Sequence, residues 1–324
     1  MGTKLEELTA QPAAILDPSP LRVAPVRRPL SQRPRAPHPP HRDHEHPVNR
    51  FTRTWTRAIR PLQHTPPGAL MQRMLRRACR LRNIEVPLAR GGAELHGFRV
   101  AFLSDLHVGF FFSEAEFAEL ARRVSAWSPD VICLAGDLVN QERHEFEWLS
   151  SGLAALRARE AVVAVPGNHD YFADPDLTDF RRVMDDAGII QLFNRGMRVR
   201  RGSSALWLAG VDDLTAGKPD LEAALTGLHE DEPALLLSHH PDLFREAAYA
   251  GVDLTLSGHT HGGQITWFGR SPLRGTHHTR FGYWHGRHHH DGAQLLVGRG
   301  VGVCVLPLRI AAAPEVLLIE LQTL

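Results

Sequence analysis

The sequence predicts an α/β fold in which two β-sheets pack face to face and helices cover their outer sides. Through residues 98–187, short apolar runs alternate with amphipathic stretches of helical period, which is typical of parallel strands connected by helices. From residue 189 onward, short strands joined by turns dominate, which indicates a second sheet. With 324 residues and 43% hydrophobic content, the chain can bury a sizeable core.

The individual elements follow from apolar periodicity and from capping residues. Ser113, with Glu116 three residues later, has the spacing of a helix-start capping box. In the first half we predict strands at 99–104, 131–135 and 162–165, and helices at 113–127, 146–157 and 177–187. In the second half we predict a short helix at 219–226 and strands at 189–193, 197–200, 206–209, 234–237, 252–256, 265–268, 295–297 and 316–321.

Charge is distributed unevenly along the chain, although the formal net charge is only +1. Residues 1–95 contain 17 basic and 7 acidic residues, whereas the remainder contains 20 basic and 29 acidic residues. A basic arm therefore precedes an acidic body. An acidic body favours a cation-binding enzyme over a nucleic-acid-binding protein, because phosphate backbones repel it.

The cysteines and the hydropathy pattern bear on the cellular compartment. The chain has three cysteines, Cys79, Cys133 and Cys304, and an odd number argues against a disulfide framework. None has the spacing of an iron–sulfur or structural zinc ligand. We find no apolar run long enough to span a membrane and no secretory signal pattern. We therefore expect a cytoplasmic protein, with attachment to the inner membrane surface as an alternative.

Residues 1–67 are predicted to be a disordered tail. Thirteen of the 23 prolines lie in this segment, together with many arginines and histidines. Proline at this density opposes helices and sheets, and the few apolar residues cannot offset the entropy of ordering. The tail histidines are interpreted as solvated rather than metal-binding.

Residues 68–97 are predicted to form a basic amphipathic helix, over 69–83, and a linker to a globular domain at 98–324. Leu70, Met74 and Leu75 belong to an apolar stripe, while arginines crowd the other faces. The stripe could contact an anionic membrane surface, an acidic partner or the protein body. We slightly favour docking on the body.

Metal-type ligands follow five of the predicted strands. Imidazole and carboxylate together suit zinc, iron or manganese, and sites in α/β proteins form beyond the carboxyl ends of strands. The glycines around His259 and His261 allow close approach of other groups to that loop. The strand-end residues are Asp105, His107, Asp137, Asn168, His169, His239, His259 and His261.

A second histidine cluster lies between residues 277 and 290. We interpret it as a solvated loop near the entrance to the site, in preference to a third metal site. Trp267, Phe268, Phe281, Tyr283 and Trp284 flank it and are expected either to line a substrate entrance or to pack as core.

Five short motifs, in this order, resemble those of the calcineurin-like metallophosphoesterase family. The sequence of the segment from Leu256 to Gln264 is similar to that of the YkuE/YaeI-like branch of the family. The same holds for the chain end with Leu306-Pro307-Leu308-Arg309. The resemblance covers about residues 98–321. The five motifs are Asp105-Leu106-His107, Gly136-Asp137, Gly167-Asn168-His169-Asp170, Ser238-His239 and Gly258-His259-Thr260-His261.

The resemblance implies a four-layer α/β/β/α sandwich of two mixed sheets and a centre with two metal ions of manganese, iron or zinc. It implies that a metal-bridging hydroxide attacks phosphorus, that His169 is the general acid or a phosphate contact, and that Asp170 orients His169. Asp137 would bridge the metals. The implied ligands of the first metal are Asp105, His107, Asp137 and His261, and those of the second are Asp137, Asn168, His239 and His259.

The expected function is therefore hydrolysis of a phosphodiester or phosphomonoester. One alternative is hydrolysis of a lipid-linked pyrophosphate, similar to UDP-2,3-diacylglucosamine hydrolases, for which the basic helix and the aromatic loop would supply an apolar surface. A second alternative is a non-catalytic scaffold, which is disfavoured because every ligand position is filled. A nuclease is disfavoured by the acidic body.

Overall fold

In a computed structural model, which describes residues 24–28, 47–266, 271 and 279–323, twelve strands form two six-stranded sheets. The strands are β1 (Arg80–Leu88), β2 (Phe98–Leu103), β3 (Val131–Ala135), β4 (Ala161–Val165), β5 (Ile190–Gln191), β6 (Arg195–Arg201), β7 (Ser204–Gly210), β8 (Ala234–Leu237), β9 (Leu254–Ser257), β10 (Gly286–His290), β11 (Ala293–Val297) and β12 (Glu315–Thr323).

Both sheets are mixed. The first has the order β1-β12-β2-β3-β4-β5, in which only the β12–β2 pair is antiparallel. The second has the order β10-β11-β9-β8-β7-β6, in which the two edge pairs are antiparallel and the central pairs are parallel. The parallel strands β2, β3 and β4 therefore end at one edge of the first sheet, and β8 and β9 end at one edge of the second.

Eight α-helices lie within the described residues. Five 3-10 helices accompany them at Arg60–His64, Ala93–Leu95, Arg143–Leu149, Pro241–Leu243 and His261–Gly263. No helix in this part of the chain has the length and apolar character needed to cross a bilayer. The α-helices are α1 (Pro47–Ile59), α2 (Pro66–Ala78), α3 (Glu114–Ala126), α4 (Ser150–Leu153), α5 (Asn168–Ala173), α6 (Thr178–Asp186), α7 (Leu221–Leu225) and α8 (Phe244–Tyr249).

Alternation along the strands builds three apolar layers. In β3, Cys133 points into the core between the sheets, whereas Ile132 points to the helix side, where Phe117 of α3 packs. In β8, Leu235 points into the same central core, and Leu236 points outward to the cluster that contains residues of α7 and α8. The predicted α/β/β/α sandwich is therefore confirmed.

The N-terminal region differs from its sequence-based prediction. Helix α1 lies inside the segment predicted to be disordered, and residues 1–23 and 29–46 of that segment lie outside the described residues. Composition did not indicate α1 because polar contacts to the body stabilise it. Thr56 donates to Gln141 Oε1 at 2.8 Å, and Arg57 forms an ion pair with Glu142 at 2.7 Å.

The basic helix predicted over 69–83 ends earlier, at Ala78, because β1 begins at Arg80. Strand β1 pairs in parallel with β12 along its whole length, and this backbone pairing overrides the helical pattern of the side chains. The sheet therefore extends upstream of the boundary predicted at Phe98. Leu75 of α2 packs on the body, but Leu70 and Met74 remain exposed, so the apolar stripe docks only in part.

Three smaller differences concern local structure. The helix predicted at 146–157 is a 3-10 helix at Arg143–Leu149 followed by the single turn α4. Of the strand predicted at 265–268, Ile265 forms one bridge with Ile310, and residues 267–268 lie outside the described residues. The histidines at 288–290 form edge strand β10 instead of a loop.

We predict that β1 is an integral part of the core. Leu88→Ala removes a side chain that is 3% exposed between the sheets, and it should lower the free energy of unfolding by about 2 to 5 kcal/mol in urea titrations. Asn83→Ala, at an exposed position of the same strand, should change it by less than about 0.5 kcal/mol. Equal effects of the two variants would show that β1 is a dispensable addition.

Candidate metal centre

The predicted ligands meet where parallel strands from both sheets end. This convergence places acidic, amide and imidazole groups at the same edge of the sandwich. Asp105 and His107 follow β2, Asp137 follows β3, Asn168, His169 and Asp170 begin α5 after β4, His239 follows β8, and His259 and His261 follow β9.

Five of these residues hold left-handed backbone conformations. Their φ angles lie between 47° and 68°, which costs a residue with a side chain roughly 1 to 2 kcal/mol. The strained residues are Asp105, His107, Asp137, His259 and His261. Strain concentrated in this way turns each side chain out of its strand and toward a common centre.

Two glycines make the close packing of these turns achievable. A Cβ on Gly136, which has a φ of 80°, would lie 2.5 Å from the backbone nitrogen of Gly167. A Cβ on Gly258 would overlap Asp105 Oδ2. The turns after β3 and β4 therefore touch through their backbones, and the β9 loop touches the Asp105 carboxylate.

The Asp137 carboxylate lies at the middle of the site. Its Oδ2 is 3.3 Å from His239 Nε2 and 3.7 Å from His107 Nε2, and its Oδ1 accepts a hydrogen bond of 2.8 Å from the backbone of His169. Burial raises the pKa of this carboxyl, but the imidazoles of His239, His169 and His107 outweigh burial and hold the pKa well below its usual range. Asp137 is therefore a buried negative charge.

On one side of Asp137 lie His107 and His261. Their Nε2 atoms are 3.0 Å apart, and His261 Nε2 is 3.6 Å from Asp105 Oδ1. Two nitrogens bound to one zinc ion at 2.0–2.1 Å are separated by roughly 3.0 to 3.4 Å, so this spacing suits a shared cation. Burial, and to a smaller extent Asp137, raises the pKa of Asp105 to about 6, although His239 opposes this shift.

On the other side of Asp137 lie Asn168, His239 and His259. His259 Nδ1 is 3.0 Å from Asn168 Oδ1. His239 Nδ1 donates to the carbonyl of Ala135 at 2.7 Å, which directs Nε2 toward Asp137. Burial lowers the pKa of His239, but the negative charges of Asp137, Asp105 and Asp213 together outweigh burial and raise it well above its usual value.

The donor set fits metal ions. One buried carboxylate oxygen, Asp105 Oδ2, has no hydrogen-bond partner among the described residues. Buried carboxylates and imidazoles in this arrangement require positive charge, and the two carboxylates with His239 form a compact group of candidate ligands. Such a mixture of oxygen and nitrogen ligands suits zinc, iron or manganese.

His169 differs from the histidines predicted to be ligands because its side chain is half-buried instead of buried. Its ring packs edge-on against the ring of His107, with 4.6 Å between centroids. Its Nδ1 contacts the backbone carbonyl of Asn140, and because a carbonyl only accepts, Nδ1 carries a proton. Nε2 is therefore the ring nitrogen available to a bound molecule.

Asp170, which is predicted to orient His169, contacts backbone groups of the neighbouring turns. Its carboxylate accepts hydrogen bonds from the backbones of Gly167 and Leu138, both at 2.9 Å, and of Val139 at 3.3 Å. These contacts join the turn after β3 to the start of α5. Burial and the charge of Asp137 raise the pKa of Asp170 to about 7.

The structure adds three residues that motif reasoning did not place in the site, although Arg309 belongs to the YkuE/YaeI-like ending. The Arg309 guanidinium donates to His261 Nδ1 at 3.0 Å, and burial lowers its pKa to about 10. Gln264 binds the backbone of Cys304, whose sulfur lies beside His107 and His261. Cys304, which was not among the predicted site residues, therefore lies close to two of them.

A family model described as "Calcineurin-like phosphoesterase" matches residues 98–263, which is half of the chain. The matched residues contain all nine predicted site residues, from Asp105 to His261. The family resemblance inferred from the five motifs is therefore confirmed.

Curated relatives agree with this match. A Bos taurus "Transmembrane protein with metallophosphoesterase domain" is 32% identical over 56% of this chain and 44% of its own length. A Danio rerio protein of the same description is 29% identical over 74% of this chain and 56% of its own length. The Bacillus subtilis "Uncharacterized metallophosphoesterase YkuE" is 29% identical over 70% of this chain and 80% of its own length. The chain thus spans about half the length of the first two relatives, and it belongs to the calcineurin-like phosphoesterase family.

Proposed function

We propose that this protein is a metal-dependent hydrolase of small phosphoesters, either diesters or monoesters. It would hold two metal ions in total, and Asp137 would be a ligand of both. The observation that carries the proposal is the position of the Asp137 carboxylate between His107 and His239. One carboxylate between two imidazole groups is the arrangement that a bridging ligand requires. Membership of the phosphoesterase family supports the same reaction class.

Two donor sets share Asp137. The first set would hold one ion and the second set the other, each ion being manganese, iron or zinc. When bound, the two cations supply a lowered pKa of water and neutralise negative charge on the phosphoryl oxygens. The first set is Asp105, His107, Asp137 and His261, and the second is Asp137, Asn168, His239 and His259.

The chain's own residues orient the substrate and handle the proton. His169 is half-buried and its Nδ1 is fixed on Asn140, so Nε2, when it also carries a proton, can donate that proton to the leaving oxygen. Asp170 acts as a positioning residue, because it joins the backbones of the two turns that carry Asp137 and His169. The surrounding ligands are buried, which strengthens electrostatic interactions at the phosphoryl group.

We predict that metal binding and proton transfer can be separated by mutation. His169→Ala should keep the metal content of the purified protein and lower kcat for a phosphodiester or monoester by roughly 10² to 10⁴. The loss should be smaller for substrates with good leaving groups, which need no proton in the transition state. Asp137→Asn should lower both metal content and activity, because a neutral amide cannot balance two cations.

Metal analysis by mass spectrometry and kinetics on the same preparations test this prediction. An empty site in His169→Ala would identify His169 as a ligand and contradict its role as a proton donor. Full activity of a chelator-treated protein would contradict the metal-dependent mechanism, and an inactive protein with both sites filled would favour the scaffold alternative.

A second candidate is hydrolysis of a lipid-linked pyrophosphate by a protein attached peripherally to the inner membrane surface. Exposed apolar side chains on the N-terminal helices favour it. Of the eight large apolar side chains exposed among the described residues, five lie on α1, the 3-10 helix after it and α2, and two more on the loop next to the metal centre. These seven residues are Phe51, Trp55, Leu62, Leu70, Met74, Leu308 and Ile310.

Charge near these side chains suits an anionic lipid surface. Arg73, Arg76 and Arg77 of α2 are exposed and form no ion pair with another described residue. Helix α1 also lies against the loops of the metal centre, because Trp55 Nε1 donates to the carbonyl of Val305 at 2.9 Å. A lipid bound to this surface would place its headgroup near the metal centre.

We predict salt-sensitive binding of the full chain to vesicles of phosphatidylglycerol and phosphatidylcholine, since each arginine near an anionic surface contributes about 1 kcal/mol. The double variant Leu70→Ser/Met74→Ser should bind roughly 100-fold more weakly in co-sedimentation, because two inserted apolar side chains are lost. Val26→Ser, which removes an exposed apolar residue outside the helices, is the matched control. Equal binding of both variants would contradict membrane contact through α2.

A further inference from the structure

Cys304 lies in the metal centre although no motif of the sequence points to it. It is 3% exposed, in the segment between β11 and β12. Its sulfur and a ring nitrogen of each of His107 and His261 lie within 4.8 Å of one another. Sulfur and imidazole nitrogen at this spacing form the donor set that zinc prefers.

The position of Cys304 is fixed by Gln264, which follows the histidine loop. Gln264 is fully buried, and its Oε1 accepts from the backbone nitrogen of Cys304 at 3.0 Å. Its Nε2 donates to the carbonyls of Cys304 at 2.9 Å and Leu306 at 2.8 Å. One side chain therefore holds the cysteine backbone from both sides.

Arg309 fixes the same segment to His261. Its guanidinium donates to the carbonyl of Gly302 and, at 2.8 Å, to that of Arg299, and it also donates to His261 Nδ1 at 3.0 Å. The thiol and the imidazole are therefore mounted on one hydrogen-bonded unit. These hydrogen bonds fix the backbone that carries the thiol before an ion binds.

An independent observation on the neighbouring carboxylate also points to a cation at this place. Asp105 is fully buried, and its Oδ2 has no hydrogen-bond partner among the described residues. The other oxygen of the same carboxylate is 3.6 Å from His261 Nε2. A buried carboxylate oxygen in this state favours a cation beside the two imidazoles.

We infer that Cys304 is a thiolate ligand of the metal ion held by Asp105, His107, Asp137 and His261. The inference rests on the proposed function and adds a sulfur donor to that ion. When the ion binds, the S–H bond breaks, the proton passes to solvent and a metal–sulfur bond forms. A soft sulfur ligand selects zinc or iron at this position over manganese, which prefers oxygen.

One of the other two cysteines provides a matched control. Cys133 belongs to the apolar core between the sheets, where substitution would disturb folding. Cys79 follows α2 and is only partly buried, so Cys79→Ser removes a thiol outside the metal centre.

The test is a cobalt titration of the full chain after chelation and removal of its metals. Cobalt(II) replaces zinc in such sites, and a cobalt–thiolate bond gives an intense charge-transfer band in the near ultraviolet, separate from the weak visible bands of any bound cobalt. The band should appear in the unaltered protein and in Cys79→Ser. It should be absent from Cys304→Ser and Cys304→Ala, which should keep the visible bands and bind zinc roughly 10- to 100-fold more weakly.

The outcomes separate this inference from the proposed function. Visible cobalt bands without the charge-transfer band in the unaltered protein would overturn the role of Cys304 and leave the metal centre standing. Absence of all cobalt bands would overturn both. Because the decisive spectrum is that of the unaltered chain, the test does not depend on the folding of either Cys304 variant.

Discussion

A buried negative charge, the carboxylate of Asp137, is the constraint on which the rest of the site depends. An ionised carboxylate in a protein interior is costly unless cations or hydrogen bonds compensate it. Here His107 and His239 face one oxygen, and the backbone of His169 donates to the other. Strands from both sheets end at this point, and each sheet contributes residues to both predicted ligand sets. The sandwich architecture and the metal centre are two consequences of one requirement.

The backbone bears the cost of this convergence. Asp105, Asp137 and His261 are among the ligands in left-handed conformations, which ordinary strands and helices avoid. The free energy that offsets the strain of these turns comes from the apolar layers on both faces of the first sheet. Buried hydrogen bonds such as those of Asp170 contribute as well. Gly136 and Gly258 remove the side chains that would keep the turns apart. The packed apolar layers thus hold the strained turns in place, and the candidate ligands lie at the edge of the sheets where these turns are.

The sequence predicted the layers and the strand-end positions of the candidate ligands because both depend on local patterns. Apolar alternation marks strands, and a polar residue directly after a strand is easily recognised, as with Asp137 after β3. Contacts that form only in the folded chain could not be found in this way. Cys304 reaches the histidines through the hydrogen bonds of Gln264 and Arg309, and nothing in its local sequence indicates this. Strand β1 was not predicted because its pairing with β12 uses backbone groups, which are present whatever the side-chain pattern is.

The N-terminal helices are coupled to the metal centre through the loops that they contact. Thr56 of α1 binds Gln141 in the loop after β3, Trp55 binds the carbonyl beside Cys304, and Gln63 accepts from the backbone of Phe111 after β2. Each of these loops also carries a candidate ligand. The contacts of α1 and of the 3-10 helix that follows it with these loops are therefore direct. A surface that binds lipid or protein on these helices would thus act on the same backbone that positions the metal ligands.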